Sequence, residues 1–466
     1  MKHDLVVKGG TLVLPYHGEI RADLAVHDGR VVAIGEDLPG DERVDATGKI
    51  VFPGAVDAHF HIGIYRDLGL DAYEETRSSL VGGATTVLSY FRTGQHYLDR
   101  TGPYAEIFPE VLGAVAGRAF TDYGFHLAPM TVDQIGEIPW LVGQGVSSFK
   151  YYMFYKGFDL AANSRDAQAF TMSDEYDLGH LLLIMEKIAE TQAAHPERRL
   201  SLSLHCEQSE LMRVFIDRVR RSGAAQDLRA YHEGRPPLTE RLAIAEAATL
   251  AAYTGVNVNF LHLSSADALA AASQVNARRE ATLHHLCLDC DTLDRRGGLG
   301  GKVNPPIRTP QDNEELWAGV SDGRIDWVAS DHACCMDEYK GDDLWPARPG
   351  FGGTALLYPV LFSEGHLRRG VPLTRLAEVA SGNPARAYNL WGRKGSLAVG
   401  FDADLTIVDP ALTQTVTTDL LLSGQDHCPF EGVDLTGWPV TTVVGGRVVY
   451  RDGKVAGEPS GSYVPR

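Results

Sequence analysis

The middle of the chain alternates short apolar segments with helical ones, and eight strand candidates follow one another in this way. Such alternation is typical of βα units on a parallel sheet. The predicted strands are VFPGAVDAHFH, ATTVLSY, TDYGFHLAP, VSSFKYY, LSLSLHCE, VNVNFLHLS, ATLHHLCLD and RIDWVASDH. Eight repeats predict a (β/α)8 barrel of the TIM type, whose active site lies at the carboxyl ends of its strands.

The two ends of the chain carry a different pattern. HDLVVKGGTLVLP near the start and VTTVVGGRVVYRDGKV near the end alternate around glycine turns, as β-hairpins do. We therefore expect a small β-sandwich domain assembled from both termini. The expected bounds are 1–50 and 395–466 for the two parts of this domain, the second including a tail, and 51–394 for the barrel.

Composition excludes several classes of partner. The formal net charge of −18 over 466 residues leaves no basic surface for phosphates, so no nucleic acid is expected. No run of about 18 apolar residues is present, and the first residues lack a signal-peptide pattern, so no membrane partner is expected. Six cysteines in a chain of this length favour a reduced, cytoplasmic setting, with Cys287 and Cys290 as packing residues.

Residues that can bind metal fall at the ends of several predicted strands. His59 and His61 point to the same side of the first strand, about 6–7 Å apart, so both imidazoles can bind one cation. A single histidine there is usually a hydrogen-bonded core residue, and an aspartate a turn residue. Their joint occurrence at one rim favours a metal site. The other residues of this rim are Lys150, His205, His262 and Asp331.

Six motifs, in order along the chain, resemble the cyclic amidohydrolases of the dihydropyrimidinase, hydantoinase and allantoinase group. They are GAVDAHFH, GVSSFKYYMFY, SLHCE, FLHLS, KVNPPIR and ASDH, and the resemblance continues through GNPARAYNLWGRKGSLAVGFDADLTIVDP. It implies a hydrolase that opens the C–N bond of a cyclic amide or ureide. Two divalent metal ions would act, with a metal-bridging hydroxide as the nucleophile.

The resemblance also implies the ligands. His59, His61 and Asp331 would hold one metal, and His205 and His262 the other. A protonated lysine between two cations would be repelled. The resemblance implies that Lys150 instead adds CO2 and bridges the two metals as N6-carboxylysine. Asp331 would act as general base and then as general acid. These ligands suit Zn²⁺, and Mn²⁺, Co²⁺ or Fe²⁺ would also fit.

Further residues are expected at the substrate. By resemblance, Tyr155 would donate a hydrogen bond to the oxyanion, and its aromatic neighbours, Phe154 among them, would shape an apolar pocket. Asn304 stands where hydantoinase-like enzymes usually have serine, and its amide can read an –NH–CO– edge. Gly352 belongs to a glycine-rich run that lets the backbone approach the ring. Asp57 either orients a ligand or makes a strand-end hydrogen bond.

Departures from the family pattern narrow the substrate. Dihydroorotases carry an arginine where this chain has Gly63, so that activity is disfavoured. The first candidates for the small-molecule substrate are hydantoin and dihydropyrimidine rings. An allantoinase is the alternative, indicated by NPPIR and by HHL around His284.

Two rivals differ in chemistry or class. A metal-free scaffold protein related to the dihydropyrimidinases would lack several of the ligands that are present here. A mononuclear deaminase would not need Lys150. The family implies a homotetramer, and the expanded segment after Tyr155 is expected to be a lid or an oligomer contact.

Overall fold

The structure is a computed structural model that describes residues 3–94, 96–155, 176–296 and 298–466. The expanded segment that follows Tyr155 begins outside the described residues. The expectation of a lid or an oligomer contact there therefore stays a prediction.

The first five strands belong to a terminal sheet. They are β1 (His3–Leu14), β2 (Gly18–His27), β3 (Arg30–Gly35), β4 (Gly40–Asp45) and β5 (Ile50–Pro53). The turn between β2 and β3 is made by Asp28 and Gly29, with φ of 47° and 72°. Two consecutive positive φ values belong to the tight turn that matches the twist of a hairpin, which explains the Asp-Gly sequence.

The barrel strands follow, all paired in parallel. They are β6 (Ala55–His61), β7 (Ala84–Arg92), β8 (Asp122–Ala128), β9 (Ser148–Tyr152), β10 (Ser201–His205), β11 (Asn257–Phe260), β12 (Arg278–Thr282), β13 (Trp327–Ala329) and β14 (His332–Ala333). β13 pairs with β12, and β14 pairs with β6. These two short strands are halves of one eighth strand, interrupted next to Asp331, and they close the predicted (β/α)8 barrel.

The last strands return to the terminal sheet. They are β15 (Leu405–Thr415), β16 (Asp434–Val444), β17 (Arg447–Arg451) and β18 (Lys454–Val455). β15 pairs antiparallel with β5, so both ends of the chain share one nine-stranded sheet in the described part. Side chains from both ends form its apolar core, among them Leu5, Leu24, Val51, Leu405 and Val443. The small β-domain made from both termini is thereby confirmed, while its predicted bounds stay a prediction.

Helices surround the barrel. Their starts follow ordinary capping chemistry; for example, Thr309 and Asp312 form a reciprocal capping box at the twelfth helix. The helices are α1 (Leu68–Val81), α2 (Tyr104–Val115), α3 (Val132–Gly136), α4 (Ile138–Gly143), α5 (Leu178–Ala194), α6 (Ser209–Ser222), α7 (Leu228–Gly234), α8 (Pro237–Thr254), α9 (Ala266–Ala272), α10 (Leu283–Cys287), α11 (Cys290–Arg295), α12 (Pro310–Asp322), α13 (Leu357–Val360), α14 (Leu373–Ala377) and α15 (Asn383–Ala387). Among the described residues, no helix has the length and apolar character needed to cross a membrane.

The seventh strand is where the sequence prediction was wrong. ATLHHLCLD overlaps the strand only at its beginning, because β12 covers Arg278–Thr282 and the following LHHLC forms α10. The strand carries a buried glutamate, Glu280, so its apolar signal is weak. The apolar residues that suggested a strand belong to the helix after it.

Candidate active site

The six predicted ligand residues converge at the carboxyl ends of the barrel strands. They line one cavity of about 860 Å³ and are all buried. They are His59, His61, Lys150, His205, His262 and Asp331. The position agrees with the general rule for barrel enzymes, whose active sites lie at this end.

His59, His61 and Asp331 form the tightest group. Oδ1 of Asp331 lies 3.0 Å from Nε2 of His59 and 3.3 Å from Nε2 of His61. Burial alone would raise the pKa of the Asp331 carboxyl, but the two histidines hold it well below its ordinary value. Asp331 has a φ of 50°, an uncommon value for a residue with a side chain, and such backbone is often found at functional sites. Three ligand atoms therefore face one point, as a cation would require.

Glu280 is a site residue that the sequence prediction missed. Its Oε1 accepts a hydrogen bond from Nδ1 of His59 at 2.6 Å and from the backbone N–H of His262 at 3.0 Å. Its Oε2 accepts from the indole N–H of Trp327 at 2.8 Å. Glu280 thus directs Nε2 of His59 towards Asp331. It was missed because the seventh strand was placed too late along the chain.

His205 and His262 form the second group. Their ring centroids are 4.3 Å apart, and the His262 ring is 5.3 Å from that of His59. Nε2 of His205 is 2.7 Å from Oε2 of Glu207, which also pairs with Arg235. Glu207 ends the motif SLHCE, so this orienting carboxylate was visible in the sequence.

The second group fits a cation. Nδ1 of His262 is buried and has no hydrogen-bond partner among the described residues. Burial lowers the pKa of His205 to about 4 and that of His262 well below its ordinary value. Both rings are therefore neutral at neutral pH, which is the form that binds metal. An unpartnered buried nitrogen is costly, and a bound cation would satisfy it.

Lys150 lies between these groups with 1% of its surface exposed. Its Nζ faces the rings of Tyr90 and Tyr152, at 4.3 and 4.9 Å from their centroids. Burial lowers the pKa of the Lys150 amine to about 7, against the opposing attraction of Asp331 and Glu280. Among the described residues, no carboxylate oxygen lies within 4.0 Å of Nζ, the limit for an ion pair. The neutral amine is therefore well populated near neutral pH.

The aromatic residues after β9 line the same cavity. Tyr155 ends a short 3₁₀ turn, Met153–Tyr155, and its ring stacks on Tyr152 with centroids 4.7 Å apart. Phe154 contacts the ring of His205, with centroids 4.3 Å apart. Both side chains line the cavity, so a substrate bound beside the histidines would contact them.

Asn304 and Gly352 differ in position. Oδ1 of Asn304 accepts hydrogen bonds from Tyr231 and Arg235, so its amide N–H2 is the group left for a ligand in the cavity. Gly352 is not among the residues that line the cavity, and its N–H donates to Oε1 of Gln425. Gly350 of the same run lines the cavity instead.

Asp57 supports the interrupted eighth strand. It accepts hydrogen bonds from the backbone N–H of Ser330 at 3.0 Å, from Ser330 Oγ at 2.6 Å and from Thr354 Oγ1 at 2.9 Å. None of these partners is a histidine. Of the two alternatives, the geometry favours a strand-end hydrogen-bonding role, which holds the backbone just before Asp331.

Comparisons with known proteins agree with this site. Residues 197–449 match the amidohydrolase family. The chain is 30% identical over 468 residues to an allantoinase of Rubrobacter xylanophilus, covering 99% of this chain and 97% of that protein. It is 28% identical over 484 residues to a D-hydantoinase of Ralstonia pickettii, covering 99% of both. A solved D-hydantoinase structure superposes with a TM-score of 0.88 at 26% identity, over 99% of each chain.

The chain belongs to the amidohydrolase family, and within it to the cyclic amidohydrolases, hydrolases that act on cyclic amides. Divalent metal dependence is general in this family, and the His and Asp groups described above are candidates for that role.

Proposed function

We propose that the protein opens the C–N bond of a hydantoin or dihydropyrimidine ring, with allantoin as the second candidate. The observation that carries this proposal is the convergence of His59, His61 and Asp331 on one point beside the buried Lys150. A structural role for these four residues would not require them to share one cavity wall.

The residues present fit two divalent cations, Zn²⁺ first, with Mn²⁺, Co²⁺ or Fe²⁺ as alternatives. His59, His61 and Asp331 would hold one, His205 and His262 the other. When bound, such cations polarise a carbonyl and make hydroxide available at neutral pH. Lys150 would contribute as N6-carboxylysine: its neutral amine forms a bond to the carbon of CO2 and loses a proton. The lowered pKa of Lys150, about 7, favours that amine form.

The chain's own groups then have separate tasks. The low pKa of Asp331 keeps its side chain in the carboxylate form. That carboxylate would accept the proton of the attacking hydroxide and pass it to the leaving nitrogen. Tyr155 would donate its hydroxyl proton in a hydrogen bond to the carbonyl oxygen as negative charge develops there. Asn304 would donate its amide N–H to the ring's carbonyl edge. Phe154 and the other aromatic side chains exclude water.

Allantoin is kept as the second candidate substrate because relatives named allantoinase and D-hydantoinase match nearly the whole chain, at 30% and 28% identity. The test measures ring opening of hydantoin, dihydrouracil and allantoin by metal-loaded protein, and the loss of ring absorbance monitors the reaction. We expect hydantoin or dihydrouracil to be opened faster. A clear preference for allantoin would reverse the order.

The homotetramer is also a proposal, which multi-angle light scattering tests directly. A mass near four times the 50.7 kDa of one chain would support it.

A further inference from the structure

Arg92, the last residue of β7, is a buried cation in the wall of the active-site cavity. Arg92 is 2% exposed, and it lines the same cavity as the proposed metal ligands. The guanidinium lies 5.9 Å from the ring centroid of Tyr97 and 6.0 Å from that of Tyr155. Its Nη1 donates to the backbone carbonyl of Thr93 at 3.2 Å. Neither phenol ring nor carbonyl carries a full negative charge.

Two other buried arginines that line or support the barrel have acidic partners. Arg308 pairs with Glu240 at 2.8 Å, and Arg235 pairs with Glu207. Within the described ranges of the chain, no carboxylate oxygen lies within the 4.0 Å of an ion pair from the Arg92 guanidinium. A buried charge without a counter-ion is costly. Arg92 therefore differs from Arg308 and Arg235, and an anion in the cavity would supply the counter-ion that it lacks.

The residues around Arg92 do not neutralise it. The aromatic rings beside its guanidinium are those of Tyr97 and Tyr155, and a phenol carries no charge near neutral pH. Hydrogen bonding to phenols leaves the positive charge in place.

The other charged side chains that line the cavity are also mostly positive. Six lysine and arginine side chains besides Lys150 line it, against three aspartate and glutamate side chains, although the whole chain carries a net charge of −18. These six are Arg92, Arg213, Arg220, Arg235, Lys302 and Arg348. A cavity lined by one sign of charge attracts ligands of the opposite sign.

Arg92 is close to the reacting groups without being one of the proposed ligands. The Tyr97 hydroxyl, on one side of it, lies 3.3 Å from Nδ1 of His61. Tyr155, on the other side, is the proposed oxyanion donor. A ring whose carbonyl lies beside Tyr155 would bring a short substituent within reach of the guanidinium.

We propose that the substrate is a cyclic amide or ureide with a carboxylate on its ring substituent, and that Arg92 binds this carboxylate. The inference rests on the proposed ring-opening function and adds the substrate class. Arg92 is then a specificity-determining residue, and the chemistry stays with the groups described above.

The experiment compares two hydantoins of nearly equal size, 5-(2-carboxyethyl)hydantoin and its neutral amide, 5-(2-carbamoylethyl)hydantoin. With the metal-loaded wild type, we expect kcat/KM for the carboxylate to exceed that for the amide at least about tenfold, in line with one charge-assisted contact. Arg92→Gln should lose this preference, with kcat/KM falling at least about tenfold for the carboxylate and less than about threefold for the amide. Arg92→Lys should keep part of it, because the charge remains.

The control variant is Arg100→Gln, which removes one positive charge from a surface pair with Glu110. It should leave the preference unchanged, so an effect of Arg92→Gln cannot come from net charge alone. Thermal unfolding of each variant checks that it is folded.

Binding gives a second readout that does not need turnover. The ring-opened products, N-carbamoylglutamate and N-carbamoylglutamine, differ by the same carboxylate, and calorimetry measures their affinity for the metal-loaded protein. Tighter binding of the first by wild type, lost in Arg92→Gln, supports the inference. Equal binding of both by wild type overturns it.

Three possible results separate this inference from the proposed function. If the wild type opens neutral hydantoins as well as carboxylated ones, ring opening stands and the role of Arg92 as an anion site is wrong. If Arg92→Gln slows both hydantoins equally, Arg92 positions Tyr155 instead, and the inference is again wrong. If no ring of any kind is opened, the proposed function itself fails.

Discussion

Oε1 of Glu280 lies 2.6 Å from Nδ1 of His59, across 221 positions of sequence, and so turns the other nitrogen of that ring towards Asp331. A carboxylate behind a histidine fixes the ring and increases its basicity. The same oxygen also accepts the backbone N–H of His262 at 3.0 Å. One buried carboxylate therefore supports a residue of each proposed ligand group.

Replacing Glu280 with glutamine should weaken metal binding. The amide keeps the shape but loses the charge that holds His59, and we expect metal affinity to fall about 10–100-fold. Competition with a chromophoric chelator measures this affinity. Glu186→Gln, which changes an exposed glutamate of α5, is the matched control and should bind metal as the wild type does. Unchanged affinity in Glu280→Gln would show that Glu280 only supports the strand.

Replacing Lys150 with methionine should abolish turnover without unfolding the protein. The change removes the amine that would add CO2, and we expect at least about a hundredfold loss of kcat, which is about 2.7 kcal/mol in transition-state stabilisation. In metal-free protein, removing a buried amine should leave the melting temperature equal or higher, because methionine needs no hydrogen bonds there. Full activity in this variant would point to mononuclear chemistry of the deaminase type.

A further check on Lys150 uses CO2 itself. Metal-free protein reloaded in bicarbonate buffer should regain more activity than protein reloaded in CO2-free buffer. Equal recovery in the two buffers would count against N6-carboxylysine.

Replacing Asn304 with aspartate separates its two polar atoms. The variant keeps an oxygen for Tyr231 and Arg235 but loses the N–H2 donor that faces the cavity. Loss of one hydrogen bond to the substrate is worth about 1–3 kcal/mol, so we expect kcat/KM to fall by a factor of about 5 to 150. The melting temperature should change little. If kcat/KM were retained, the amide donor would not contact the substrate.

Replacing Lys394 with methionine should destabilise the fold. Nζ of Lys394 lies 2.5 Å from Asp122 at the start of β8, 3.1 Å from Asp402 and 2.6 Å from Asp404, with 2% of the side chain exposed. Removing the cation leaves the buried Asp404 carboxylate beside those of Asp122 and Asp402 with no positive charge between them, which costs about 3–5 kcal/mol. The midpoint of urea denaturation measures this loss. Lys454→Met, at an exposed position of β18, is the control and should unfold at the wild-type midpoint.

Much of the architecture could be predicted because its signals are local. Strand alternation alone places His59 and His61 on one side of β6. The sequence Asp28-Gly29 predicts a hairpin turn, because these residue types adopt the positive φ values that the turn requires. The terminal hairpins and seven of the barrel strands follow from the same short-range periodicity. β12 does not, since the buried Glu280 interrupts its apolar pattern.

Contacts between distant segments needed the folded chain. Which carboxylate orients His59, which atom of Asn304 is already engaged, and that Gly350 lines the cavity where Gly352 was expected are all consequences of barrel closure. Arg92 reads in the sequence as an ordinary strand end, and only the packing around it shows that no described carboxylate pairs with it. The physical reason is that backbone periodicity depends on neighbours a few residues away. The electrostatic surroundings of a side chain depend on groups that the fold brings from hundreds of residues away.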